Sequence, residues 1–326
     1  MTGLVVENLL PPDFLAESLR ADARAGLTAT PKSLPPKWFY DDRGSELFCD
    51  IMRLPEYYPT RAEREILEQR ASEIAVAAGA DTLVELGSGS SEKTRVLLDG
   101  MRAHGSLRRY VPVDVSESVL VDTARALREE YPGMAIHAVV ADFTHQLGQL
   151  PQDGRRMIAF LGGTLGNLLP AERAEFLAAV RATLDPGDTL LLGTDLVKSP
   201  SVLVPAYDDA AGVTAEFNRN VLRVLNRELK ADFDPEAFEH VAVWDPEKEW
   251  VEMRLRSVRD QVVEVAALEL EVAFAAGEQM RTEISAKFRP DGVEAELASA
   301  GFTLQNWWTD SAARFALSLS VVPEME

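Results

Sequence analysis

A glycine-rich turn in Val84 to Ser90 (VELGSGS) follows a run of buried-type residues, Thr82 to Leu86, and precedes a helix-like stretch. A strand, turn and helix in that order present backbone amides to a ligand, and glycine lets the ligand approach closely. Two acids recur behind it at the ends of later apolar runs. Asp114 can accept both hydroxyls of a ribose, and Asp142 with Phe143 suits an adenine ring. Each is equally an ordinary helix cap. The residues after Gly89 separate the nucleotide ligands that compete for such a turn. Glu92 stands where a dinucleotide fingerprint has its third glycine, and where the near-match GSGSSEKT would need the glycine of a phosphate loop. A carboxylate there opposes a pyrophosphate or a triphosphate. S-adenosylmethionine carries no phosphate and tolerates Glu92, so a methyl-donor site is expected, with Lys93 either helix surface or a cofactor contact.

Two further segments bear on a substrate. Phe160 to Asn167 (FLGGTLGN) is a flexible turn that carries Asn167, whose carbonyl can accept from an amine; a turn residue after Gly166 is the alternative. In Gln279 to Phe288 the residues alternate, with Arg281, Glu283, Ser285 and Lys287 on one side and Thr282, Ile284, Ala286 and Phe288 on the other. From the pattern alone, that charged row is a solvated face.

The elements that must hold these residues follow a regular order. A helix over Thr60 to Gly79 is followed by five apolar, β-rich runs: Thr82 to Leu86, Tyr110 to Val115, Ala135 to Val140, Met157 to Leu161 and Thr189 to Gly193. Between them lie helical stretches, Glu92 to Ala103, Ser116 to Glu130 and Pro170 to Leu184. This alternation predicts an α/β fold, a Rossmann-like, mostly parallel sheet. Ser201 to Leu229 then reads as mostly helix, and hairpin-like runs follow. Only the final segment, a helix over Pro290 to Ala300 and strands over Phe302 to Trp308 and Phe315 to Val322, has the form that closes a methyltransferase sheet with an antiparallel hairpin. Residues 61–197 and 288–322 are therefore expected to form the cofactor-binding domain. Residues 9–60 and 198–287 form a discontinuous α+β substrate-binding domain in this reading, the first sixty residues lying ahead of the first sheet strand.

Composition narrows the partners. The 326 residues are 46% hydrophobic and carry 33 basic against 53 acidic side chains, a formal charge of −20. Such a surface repels a phosphate backbone, which disfavours nucleic acid. The start lacks the basic and long apolar regions of a secretory signal, and charged residues interrupt every apolar run before it reaches membrane-spanning length. A cytoplasmic chain without membrane contact is expected, and the lack of a heptad suggests a monomer. Cys49 is the only cysteine, and His104, His137, His145 and His240 have no zinc-like spacing, so no metal is expected.

Several segments together closely resemble one family: PKSLPPKWFY at 31–40, LPEYYPTR at 54–61, VELGSGSSEKTR at 84–95, LGTDLVK at 192–198, AYDDAAGVTAEFNRNVL at 206–222 and MRTEISAKFRP at 280–290. The chain resembles the histidine Nα-methyltransferases of ergothioneine biosynthesis from about Gly26 to Val321. The matches include the insertion as well as the generic cofactor turn. The resemblance implies that Gly87, Lys93, Asp114, Asp142 and Phe143 contact S-adenosylmethionine, and that Tyr57, Asn167 and Tyr207 hold the amine and carboxylate end of L-histidine. It implies that Glu283 and Ser285 read the imidazole, which reverses the solvated-face reading of their strand, and that Tyr40, Phe48 and Met253 line the pocket. The chain departs from the family pattern at Gly163 and Ala286, where the family has Ser and Cys. The reaction implied is three successive methyl transfers to the α-amine, giving hercynine, with Tyr57 and water relaying the amine proton. Rival readings are an amino-acid betaine synthase with another side-chain preference and an NTPase or regulator using the near phosphate loop.

Overall fold

The computed structural model describes residues 3–89 and 91–324. In chain order the strands are β1 (Leu4–Asn8), β2 (Thr82–Leu86), β3 (Arg109–Asp114), β4 (Ala135–Val140), β5 (Arg156–Phe160), β6 (Thr189–Asp195), β7 (Phe238–Asp245), β8 (Trp250–Ser257), β9 (Gln261–Val265), β10 (Leu270–Phe274), β11 (Gln279–Ala286), β12 (Thr303–Thr309) and β13 (Phe315–Val321). The helices are α1 (Phe14–Thr28), α2 (Asp42–Ile51), α3 (Pro59–Ala78), α4 (Thr94–His104), α5 (Glu117–Glu130), α6 (Pro170–Thr183), α7 (Pro200–Tyr207), α8 (Val213–Leu229) and α9 (Pro290–Ser299). These elements fall into two units. The first holds residues 3–10, 59–197 and 288–324, and the second residues 11–58 and 198–287. Among the described residues no helix is long and apolar enough to cross a membrane.

The first unit is built on an eight-stranded sheet in the order β1-β4-β3-β2-β5-β6-β13-β12. The strands from β1 to β6 pair in parallel, and β13 lies antiparallel between β6 and β12. Every residue of β2 and β5 is buried, as central parallel strands covered on both faces require. Leu83, Tyr110, Met157 and Leu317 form the core with the buried stripes of α3, α4 and α5. The chain runs from β2 outward to β3 and β4, then crosses to β5 and β6. The order therefore reverses between β2 and β5, and the crevice at the carboxyl ends of those strands is the ligand-binding place of such sheets.

The α/β class and the closing antiparallel hairpin are as the sequence predicts; β1 is not. Leu4–Asn8 lies far ahead of the first strand read from the sequence, yet it pairs in parallel with β4, Leu4 opposite Ile136. Val5 and Val6 stay 50% and 40% exposed. A short edge strand with one neighbour shows neither alternation nor a buried run, so no pattern marks it.

The second unit contains the antiparallel sheet β11-β8-β7 and the hairpin β10-β9. Its core gathers Leu27, Phe39, Phe217, Leu225, Phe238, Leu255 and Phe274. The stretch read as mostly helix breaks between α7 and α8, where Gly212 adopts φ +75 ahead of α8. Phe217, Val221, Leu222, Val224 and Leu225 give α8 its buried face at helical spacing.

Candidate active site

In the first unit, the loops that follow β4, β3, β2 and β5 leave adjacent strand ends. The turn after β2 carries Gly87 at φ +70 and Gly89 at φ +48, left-handed conformations that favour glycine. Its path is fixed from β3. The amides of Gly87 and Ser88 donate to the Val113 carbonyl at 2.8 and 3.1 Å. The Asp114 carboxylate accepts from the Gly89 amide at 2.9 Å and from the Ser116 amide at 3.0 Å. Ser90, part of the same turn in sequence, lies outside the described residues.

Asp142 accepts from the amide and hydroxyl of Thr144 at 2.8 and 2.5 Å. Both acids thus bind local backbone as caps do, and each keeps lone pairs for a second partner. Phe143 stands beside the turn: a Cβ placed on Gly87 would meet its ring at 3.7 Å. The ring packs edge-on against Phe160 and Phe176, centroids 5.3 and 5.9 Å away, which sets its plane. Gly87, Asp114 and Phe143 therefore meet at one turn, and Asp142 precedes Phe143 in the loop after β4.

The residues present fit an adenosine-bearing group. The buried Ser88 hydroxyl has no hydrogen-bond partner among the described residues, and a Cβ on Gly89 would meet nothing within 4 Å. Glu92 leaves 71% of its side chain exposed and pairs with Arg64 at 3.3 Å. No group of His, Cys, Asp and Glu among the described residues could hold a metal ion.

Lys93 is not simply helix surface. Its side chain is 21% exposed and its ammonium pairs with Glu63, a carboxylate on α3 that is 1% exposed. Beneath the turn, Glu85 of β2 accepts from Thr94 at 2.5 Å and from Tyr110. Burial pushes the Glu85 carboxyl up to about 7, against the hydrogen bonds of Thr94 and Tyr110 and the charge of Lys93.

The turn after β5 places Asn167 at the end of a short 3-10 helix, Thr164–Asn167. Gly162 and Gly163 before it have φ +79 and +71, and a Cβ on Gly163 would meet the Phe315 ring at 3.5 Å. Glycine adopts that left-handed conformation without the penalty a side chain brings. The Gly162 amide donates to Glu63 at 2.8 Å, so this turn too is tied to α3.

In the second unit the aromatic residues named from the sequence form a continuous cluster. Tyr40 meets Phe48 and Phe217 edge-on, each at 5.5 Å between centroids, Phe48 meets Tyr57 at 6.1 Å, and Tyr57 meets Tyr207 at 6.4 Å. Desolvation, then the neighbouring Glu283 carboxylate and Tyr207, push the Tyr40 phenol up, although the residue as a whole is 47% exposed. Met253, 2% exposed, lies opposite Glu283 across the β8–β11 pair.

The charged row of β11 is corrected in one respect. A register shift between Arg281 and Glu283 puts Arg281 opposite Arg254 and Glu283 opposite Met253. Arg254 and Met253 are consecutive on β8 and point to opposite faces, so the bulge at Thr282 turns Arg281 away from the row. Its guanidinium lies 3.9 Å from Glu252, which also binds Arg254.

Glu283, Ser285 and Lys287 remain. The buried Lys287 ammonium donates to the Tyr207 and Ser285 hydroxyls at 2.8 Å each, and those hydroxyls are 2.7 Å apart. The sequence row contains Lys287, but nothing in its spacing sets it apart from a surface lysine. His240, with 2% of its side chain exposed, supports Tyr207 from behind. Its Nδ1 accepts from the Asn218 amide at 2.8 Å, so Nε2–H donates to the Tyr207 carbonyl at 2.7 Å. Burial lowers the His240 pKa, which keeps this neutral tautomer. Asn167 is carried by the first unit, and the other residues assigned to the substrate by the second.

A parallel sheet reversed between β2 and β5, closed by an antiparallel hairpin and carrying these loops, defines a class I S-adenosylmethionine-dependent methyltransferase. A solved S-adenosylmethionine-dependent methyltransferase from Clostridium acetobutylicum shares this fold, with TM-score 0.50 and 12% identity over 86% of this chain and 99% of that one. More narrowly, the chain belongs to the family of histidine-specific, S-adenosylmethionine-dependent methyltransferases, whose model matches residues 19–322. It is 63% identical over 318 residues to the histidine N-alpha-methyltransferase of Mycolicibacterium smegmatis, covering 98% of this chain and 99% of that protein. It is also 33% identical over 202 residues to ergothioneine biosynthesis protein 1 of Neurospora crassa, 60% of this chain and 23% of that longer protein.

Proposed function

We propose that the chain transfers three methyl groups in succession from S-adenosylmethionine to the α-amino nitrogen of L-histidine, forming hercynine for ergothioneine biosynthesis. Family membership and the near full-length match to a histidine N-alpha-methyltransferase support the reaction. The likeness to ergothioneine biosynthesis protein 1 supports the pathway. When bound, S-adenosylmethionine supplies an electrophilic methyl group on a sulfonium. Gly87, Asp114, Asp142, Phe143 and Lys93 are the residues that would hold it.

The observation that carries the substrate assignment is the hydroxyl pair beside Glu283. Lys287 is a donor only, so the Tyr207 and Ser285 oxygens accept from it. Either hydroxyl can donate in the bond between them, and when Tyr207 does, the Ser285 proton is left for a ligand. A neutral imidazole has one N–H and one bare nitrogen. Glu283 accepts the first and Ser285 donates to the second. Tyr40, Phe48 and Met253 enclose the ring, while Tyr57 and Tyr207 hold the amine and carboxylate end.

Only a neutral amine attacks the methyl carbon, and Tyr57 with water relays its proton. Holding nitrogen, carbon and sulfur in line supplies roughly 7 to 11 kcal/mol of the barrier. The acidic composition, with a formal charge of −20, fits a cytoplasmic monomer that acts on small molecules. Incubation with S-adenosylmethionine and a panel of free amino acids, read by mass spectrometry, tests the assignment. Trimethylation of histidine alone is expected; methylation of another amino acid with histidine untouched overturns it.

A further inference from the structure

The buried stripe of α3 comprises Pro59, Ala62, Glu63, Ile66, Leu67, Ala71, Ile74, Ala75 and Ala78, and Glu63 is its only charged member. A carboxylate taken fully out of water is costly unless it is paired and hydrogen-bonded. Here both conditions are met by the two turns at the crevice: Lys93 pairs with one oxygen of Glu63, and the Gly162 amide donates to the other at 2.8 Å. A third strand makes room for it. A Cβ on Gly193 of β6 would lie 2.4 Å from the Glu63 carboxylate. Of the pair, Lys93 keeps some access to solvent and Glu63 almost none, 21% against 1% exposed.

We propose that Glu63 is a positioning residue that fixes the Lys93 ammonium for the carboxylate of the cofactor's amino-acid end, and ties it to the Gly162 turn that carries Asn167. The proposal rests on the assignment of Lys93 as a cofactor contact. Glu63 keeps the lysine from folding back along α4, and the ammonium's remaining protons serve the ligand. Because the same carboxylate holds Gly162, the groups at the two ends of the methyl transfer share one anchor on α3.

Glu63→Gln removes the ion pair and keeps an oxygen for the Gly162 amide, so it separates the two functions. Titration with S-adenosylhomocysteine of the wild type, Glu63→Gln, Lys93→Met and the double variant tests the proposal. Glu63→Gln and Lys93→Met are each expected to weaken binding about tenfold or more, and Glu63→Gln less than about twofold in the Lys93→Met background. In turnover, Glu63→Gln raises KM for S-adenosylmethionine and leaves KM for histidine within about twofold, whereas Glu63→Ala also lowers kcat by releasing the Gly162 turn. Wild-type affinity in Glu63→Gln, or additive losses in the double variant, overturns the role of Glu63 while Lys93→Met still reports on Lys93. Unchanged affinity in Lys93→Met overturns both assignments. Gly193→Ala, which presses on Glu63 without altering charge, gives a second route. It is expected to weaken binding in the wild-type background and not in the Lys93→Met background; equal loss in both contradicts the proposal.

Discussion

The two units present their candidate sites by different means. In the first, recognition groups are backbone amides and acids at the ends of adjacent strands, held by bonds such as Gly89 to Asp114 and Gly87 to Val113. In the second, they are side chains: a row on β11, tyrosines from separate segments, and a lysine that orients two hydroxyls. A strand end needs little more than glycine and an acid to receive a nucleoside, so one plan serves many methyltransferases. A row of side chains with fixed donors and acceptors selects a particular ligand, because a mismatched buried group is left unpaired.

The largest effect expected from this contrast is at Glu283. Glu283→Ala should weaken histidine binding on the order of 100-fold, since it strands a buried imidazole N–H, and leave S-adenosylhomocysteine binding within about twofold. Calorimetric titration with each ligand separates the two, and equal losses would break the division between units. Asp114→Asn should do the reverse, weakening S-adenosylhomocysteine about 30-fold through the lost charge-assisted acceptor at the turn, with histidine affinity little changed.

A smaller effect concerns stability. Burial raises the folded-state pKa of Glu85 from 4.5 to about 7, so the folded chain holds this proton more tightly than the unfolded one. Its favourable contribution is complete below pH 4.5 and is lost as pH rises through 7. Glu85→Gln removes that dependence. Relative to wild type it should gain on the order of 3 kcal/mol between pH 4.5 and 8, measured by denaturant unfolding. A difference independent of pH would show that Glu85 is not the buried acid beneath the turn.

The same contrast explains what can be read in advance. The cofactor loops follow buried runs at regular spacing, so Gly87, Asp114 and Asp142 are legible from pattern. Glu92 decides the ligand because a single charge at a known offset counts against phosphate. The residues assigned to the substrate, Tyr40, Tyr57, Tyr207 and Glu283, are far apart in sequence and meet through packing, so only the family resemblance joins them. Pattern alone takes the β11 row for a solvated face and includes Arg281, because a bulge leaves no mark in an alternating sequence. Glu63 does leave one: it falls on the apolar spacing of α3, at the position after Ala62 and before Ile66, where a lone carboxylate needs a partner. β1 leaves none, being short, exposed and at an edge.

The central claim is that the second unit chooses the substrate through Glu283 and Ser285. The most direct measurement is the ratio of kcat/KM for histidine to that for phenylalanine, followed by mass spectrometry of the methylated products, in wild type and Glu283→Ala. The ratio should fall at least about tenfold in the variant, through loss of activity on histidine. A ratio equal to that of the wild type would contradict the claim.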